Sequence, residues 1–235
     1  MSQNIIISGI TSFRNHGVEA LVVSTIGQLR QLVPGATYTV LDREPDFDNS
    51  RLIAPDVKFI QDYTIRPLYG PRWRSFLTTT FPRLDRLAHH AANTIRKSSC
   101  VIASGGDVFC SEYGWRALLT HLQPLKIAHA AGIPFVIHSQ SIGHFNNEGD
   151  RSAFTATAKH AAVISVREMA SYHYITEDLK LPGHICHHIG RSGVPARAAH
   201  QSGGRRAFRP PPRRGRQAHH RPQHQSGHLP LDEFQ

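Results

Sequence analysis

The sequence contains no Cys-x-x-Cys pair, and its three cysteines, Cys100, Cys110 and Cys186, are odd in number and far apart. Such spacing makes a poor disulfide framework and points to a reducing compartment. Long hydrophobic runs are missing as well. The opening apolar stretch NIIISGI is too short for a secretory signal core and has no basic start, and no run approaches the roughly 18 apolar residues that cross a bilayer. The expected location is therefore the cytoplasm, with peripheral association at a membrane left open. Metal-ligand spacing is also lacking. The pairs His89-His90, His187-His188 and His219-His220 are adjacent residues that point different ways on a helix or strand, with no cysteine or carboxylate recurring at ligand distance. Neither a metal nor a cofactor is expected.

Positive charge is abundant but unevenly placed. Residues 188–235 hold nine Arg, no Lys and two acids, so they contribute +7 of the net +10 and leave +3 for the preceding 187 residues. An ordinary charge on the main body gives no reason to expect specific nucleic-acid binding there. The segment from 188 onward has few large apolar side chains and is rich in Arg, Pro, Gly and His, a composition that predicts a disordered basic tail. Two origins are open for it. It is a natural tail for nucleic acid or anionic surfaces, or it is an out-of-frame translation. Codons compatible with Gly190–Gly203, read one nucleotide later, permit ADLAFLLEPPTNPA, and those for Gln217–Ser226 permit RPTIGLNIS; both look like pieces of a folded domain.

Residues 1–187 alternate short Ile/Val-rich runs with segments of helical period, which predicts an α/β, Rossmann-like, doubly wound parallel sheet. Strands are expected at Asn4–Ser8, Thr37–Leu41, Val57–Ile60, Cys100–Ser104, Phe135–His138 and Ala162–Val166. Val18, Val22, Ile26, Leu29 and Val33 fall on one helix face, ended by Pro34-Gly35. Further helices are expected over Leu84–Arg96, Trp115–Ala131, Arg151–His160 and Glu168–Thr176.

In such a sheet, ligands gather at the carboxyl ends of strands, where loops meet helix N-termini. Four segments reach that edge. Gly9–Gly17 offers Asn15 and Gly17 followed by Glu19; each suits either a helix cap with a dipole-compatible acid or contact with a ligand hydroxyl. Ser104-Gly105-Gly106-Asp107 is either a tight strand-to-helix turn or a close backbone approach to phosphate or sugar, with Asp107 accepting from hydroxyls. The end of PFVIHSQSIG delivers Ser139, Gln140, Ser141 and Gly143. Arg167, after a buried-looking strand, suits bidentate binding of carboxylate or phosphate, or else an ion pair with Glu168.

Their order, an N-x-G-x-E-A turn, an S-G-G-D loop, a Q-S-I-G strand end and an S-V-R-E-x-x-S segment, resembles the polysaccharide pyruvyl transferase family over about residues 4–186. The resemblance implies the N-terminal half of a GT-B-like fold and a donor, phosphoenolpyruvate, whose pyruvate is passed to a sugar or lipid-linked saccharide acceptor as a ketal. It implies catalytic roles for Arg167, Asp107 and Glu19, with the remaining loop residues lining the substrate cleft. The shifted-frame peptides resemble that family's continuation into its second domain, which would make this chain a truncated product. Val18 stands where the family usually has an acid. Two other classes stay open: a non-catalytic sugar- or phosphate-binding module with a basic tail, and a related glycosyltransferase that binds a nucleotide sugar.

Overall fold

The computed structural model describes residues 3–62 and 90–189. The expected basic tail, the His219-His220 pair, His89 and the first part of the expected Leu84–Arg96 helix lie outside them; residues 90–96 are helical.

Seven strands form one sheet in the order β3-β2-β1-β4-β5-β6-β7. They are β1 (Asn4–Ser8), β2 (Thr37–Asp42), β3 (Val57–Gln61), β4 (Cys100–Ala103), β5 (Phe135–Gln140), β6 (Val163–Val166) and β7 (Cys186–His188). Every pairing is parallel. The helices are α1 (His16–Leu32), α2 (Pro45–Arg51), α3 (Trp115–Ala130), α4 (Glu148–Ala158) and α5 (Met169–His173). This is the expected Rossmann-like α/β fold. The order turns back at β1 and β4, which places the crevice between the loops that follow those two strands.

The period-2 alternation of strands sorts β1 between two cores. Ile5 and Ile7 join Val18, Val22 and Ile26 of α1 on one face, and Ile6 joins Leu118, Leu122 and Leu125 of α3 on the other. Helix α1 starts where Asn15 caps it, its side chain accepting from the Gly17 amide, and stops before Pro34. Val18 is buried. At this position a carboxylate would be forced into the apolar cluster, whereas valine completes it.

Four elements depart from the sequence reading. Helix α2 and strand β7 have no counterpart in the expected elements. The expected helix at Glu168–Thr176 is a short α-helix that widens into a π turn over Tyr174–Asp178. Strand β5 runs on to Gln140 through a register shift between Ile137 and Gln140, where Ser139 takes a positive φ of 53°. Such a bulge re-aims the residues that follow it.

Two buried carboxylates, Asp42 and Asp48, tie α2 to the rim. Asp48 accepts from the Phe13 amide at 2.8 Å, and Asp42 accepts from the Glu44 amide at 3.2 Å. Burial, reinforced by the neighbouring Asp48, pushes the Asp42 carboxyl up to about 7. Below the ordinary carboxylate range both folded and unfolded chains hold this proton; between that range and neutrality only the folded chain does, so stability falls as pH rises. Chemical unfolding at about pH 5 and about pH 7.5 is expected to show a loss on the order of 2 kcal/mol, which Asp42→Asn abolishes. Equal pH dependence in both proteins would contradict the assignment.

Candidate functional site

At the switch point the β1 and β4 loops touch backbone to backbone. A Cβ built on Gly105 would sit 2.0 Å from the Gly9 carbonyl oxygen, and Gly9 and Gly106 have φ values of 84° and 91°. The two glycines after β4 are thus required by packing and by turn geometry. Ser104 is buried, with its hydroxyl 2.9 Å from Thr25 Oγ1 of α1, so it fastens the helix to the sheet rather than facing the crevice.

The guanidinium of Arg167 closes the other side. It leaves the end of β6 and donates through Nη2 to the Gly106 carbonyl at 3.3 Å and to the Ser141 hydroxyl. The Ser141 amide also donates to Gly106 O, at 2.6 Å, and the Arg167 amide to Gln140 O, at 3.1 Å. One side chain therefore gathers the loops after β4, β5 and β6. Its Nε lies 3.7 Å from Glu168 Oε1, and its Nη1 makes no hydrogen bond among the described residues. Nε is buried without a hydrogen-bond partner among the described residues, and with the side chain about a quarter exposed a planar cation that keeps donors in reserve stands at the rim, a chemistry suited to a carboxylate or phosphate oxygen.

Gln140 is fully buried and donates to Ala103 O at 3.2 Å and His138 O at 3.4 Å. Its Oε1 is buried as well and has no donor among the described residues, so Gln140 ties β5 to β4 beneath the rim and does not face the crevice. Behind it, the Ser139 amide donates to Ser165 Oγ at 2.9 Å, and that hydroxyl lies 3.2 Å from His138 Nδ1. Burial lowers the pKa of His138.

The other sequence-derived candidates are placed as follows. Asn15 and Gly17 form the cap of α1. Glu19 is held by Arg51, at 3.1 and 3.0 Å, and by His16 Nδ1 at 3.3 Å. Burial would raise its pKa, but these hydrogen bonds outweigh it and hold the carboxyl below its usual range. Asp107 is exposed and accepts from the Tyr113 hydroxyl at 3.0 Å. Gly143 has open space around it. Gly106, Gln140, Ser141 and Arg167 are thus in direct contact, whereas Asn15 and Glu19 direct their hydrogen bonds into α1 and toward α2.

Two residues escaped the sequence reading as site residues. Glu168 accepts from Ser141 Oγ at 2.8 Å, and Ser171 Oγ accepts from the buried Ile142 amide at 3.0 Å. Together with Arg167 they staple the β5 loop, which is why charge and hydroxyl recur in V-R-E-x-x-S. Ser171→Ala leaves the Ile142 N–H unsatisfied and is expected to cost about 1–3 kcal/mol. It should also speed amide exchange at Ile142, and unchanged protection there would refute the staple.

A family model described as polysaccharide pyruvyl transferase matches residues 15–187. No curated protein matches the chain. Among solved structures, a glycosyltransferase from Rickettsia africae ESF-5 is 12% identical, with a TM-score of 0.48 over 81% of this chain and 43% of that one. Anabaena Alr3699/HepE in complex with UDP and glucose is 15% identical, with a TM-score of 0.50 over 80% of this chain and 44% of that one. The chain spans less than half the length of either, and the likeness is one of fold, that of the Rossmann-like N-terminal half of a GT-B-like architecture. Among the described residues no helix is long and apolar enough to cross a membrane.

Proposed function

The chain belongs to the polysaccharide pyruvyl transferase family, and from that premise we propose that its crevice binds phosphoenolpyruvate and serves ketal transfer to a sugar or lipid-linked saccharide in cytoplasmic assembly of cell-surface polysaccharide. The observation that supports this most is Arg167, a partly exposed guanidinium fixed at Gly106 and Ser141 whose Nη1 makes no hydrogen bond among the described residues.

The reaction needs a cation for the donor's two acidic groups, because negative charge shifts toward the departing phosphate. A proton is added to the donor's methylene carbon, and C2 becomes oxocarbenium-like. One sugar hydroxyl forms a bond to C2. A second hydroxyl then forms another as the C2–O bond to phosphate breaks, closing the ketal. Of the two hydroxyl protons, one is balanced by the new methyl group and the other leaves with phosphate. In this scheme Arg167 grips the donor carboxylate or phosphate, and Asp107 faces the acceptor side. Glu19 is ionised and engaged by Arg51, so its part is to hold the first loop in place. No cofactor takes part.

The out-of-frame reading of residues 188–235 belongs to this proposal: the shifted-frame continuation supplies the rest of the donor site. The test is acceptor-dependent phosphate release from phosphoenolpyruvate, with the ketal product identified by mass. It is made on the 235-residue chain and on one whose residues from 190 follow the shifted frame. Turnover is expected in the second and little or none in the first. Equal turnover would remove the truncation, and absence of transfer in both would remove the activity. A nucleic-acid tail predicts instead salt-sensitive DNA binding that disappears when 188–235 are deleted.

A further inference from the structure

The loop joining β4 to α3 carries large aromatic surface that the donor site does not use. It is anchored from within. Phe109 is fully buried and bridges to Ile142. Ser111 Oγ donates to Asp150 at 2.7 Å and accepts from the Asn146 amide at 3.0 Å. Yet between and beyond these anchors the side chains of Asp107, Tyr113 and Trp115 face outward, with Tyr113 57% and Trp115 51% exposed. A segment held this firmly has no need of two large exposed rings for its own packing, and such rings on a rigid scaffold mark contact surfaces.

The chemistry of the patch is mixed. The Tyr113 hydroxyl donates to Asp107 Oδ2 at 3.0 Å, and this hydrogen bond raises its pKa and keeps the phenol protonated. One carboxylate oxygen of Asp107 is engaged in this way, which leaves acceptor capacity on the other. The Arg116 guanidinium lies 5.3 Å from the Trp115 ring centroid, which orients the indole and supplies donors beside it. A tyrosine ring beside a carboxylate, and an indole with one face under a guanidinium and the other open, match the alternating C–H faces and hydroxyl rims of a pyranose. They do not match a purely apolar partner. The patch also adjoins the donor clamp, because Asp107 follows Gly106, whose carbonyl holds Arg167.

We infer that Tyr113 and Trp115, with Asp107 and Arg116, form the subsite that receives the acceptor saccharide. The inference rests on the donor reading of Arg167 and assigns the acceptor to the β4–α3 loop. Its consequence is a division of labour in which the rings set acceptor affinity and Arg167 sets donor affinity.

The test uses ligand-detected saturation-transfer NMR on the full chain. The probes are the methyl pyranosides of glucose, galactose and mannose and their β-linked disaccharides, with phosphoenolpyruvate titrated separately. The parent is expected to saturate the C–H protons of at least one saccharide. Trp115→Ala and Tyr113→Ala should each weaken that signal by about tenfold in affinity, Trp115→Phe should retain most of it, and phosphoenolpyruvate affinity should stay constant throughout. If no saccharide is saturated, or if both alanine variants bind as the parent does, the subsite is wrong whether or not phosphoenolpyruvate binds. If phosphoenolpyruvate fails to bind while saccharide binding depends on the rings, the donor reading fails and the subsite survives. Loss of a concentration-dependent dimer in the alanine variants would assign the patch to a second copy of the chain and overturn the inference.

Discussion

Gly105→Ala is expected to lose at least about 3 kcal/mol of stability, a fall of about 8 °C or more in unfolding temperature for a domain of this size. The added methyl would sit 2.0 Å from Gly9 O and 2.9 Å from its carbonyl carbon. Both are main-chain atoms, so no rotamer change relieves the overlap, and the β1 and β4 loops must separate where the strand order reverses. Gly143→Ala is the control: apart from its chain neighbours, no heavy atom of the described residues lies within 4 Å of the position its Cβ would take, and its stability should stay within about 0.5 kcal/mol of the parent. Calorimetric unfolding of the two variants checks the pair. A neutral Gly105→Ala would mean that the loops are not in contact.

Arg167→Ala is expected to weaken phosphoenolpyruvate binding by at least about thirtyfold, the range found when one member of a desolvated charge pair is removed. Arg167→Lys should recover only part of the loss, because an ammonium cannot bridge Gly106 and Ser141 while presenting a second planar donor edge. Arg96 is exposed and, among the described residues, bonds only to Asn93 on its own helix. Arg96→Ala removes the same net charge away from the crevice and should leave donor affinity unchanged. Equal losses in the two alanine variants would reduce the effect to overall charge.

The parts of the fold legible in the sequence are those written in local period. Asn4–Ser8 is a strand in both readings because an apolar run between polar residues at that length has one outcome in an α/β chain. Helix α1 follows from the spacing of Val18, Val22 and Ile26 and from the Asn15 cap. Helix α2, PDFDNSR, is invisible to periodicity because one apolar residue among acids gives no periodic face; its place is fixed by Asp48 reaching the Phe13 amide. Strand β7 is three residues with two exposed histidines, and only its pairing with β6 defines it.

The site divides in the same way. That Arg167 emerges at the carboxyl edge is legible, since it follows a buried-looking strand. That it grips Gly106 and Ser141 is not, because those contacts join loops far apart in the chain. The second glycine of the S-G-G turn announces a positive φ, but the need for the first comes from Gly9, which no local pattern connects to it. Asn15 and Glu19 look alike as cap or ligand groups in sequence, and only the positions of Gly17, Arg51 and His16 separate the two uses.

The most direct measurement is the guanidinium ¹⁵N resonance of Arg167, assigned by its loss in Arg167→Lys and followed during titration with phosphoenolpyruvate. It should move in a saturable manner, with a smaller displacement by inorganic phosphate, which offers one acidic group instead of two. A donor that binds while this resonance stays still, or no binding at all, would contradict the account.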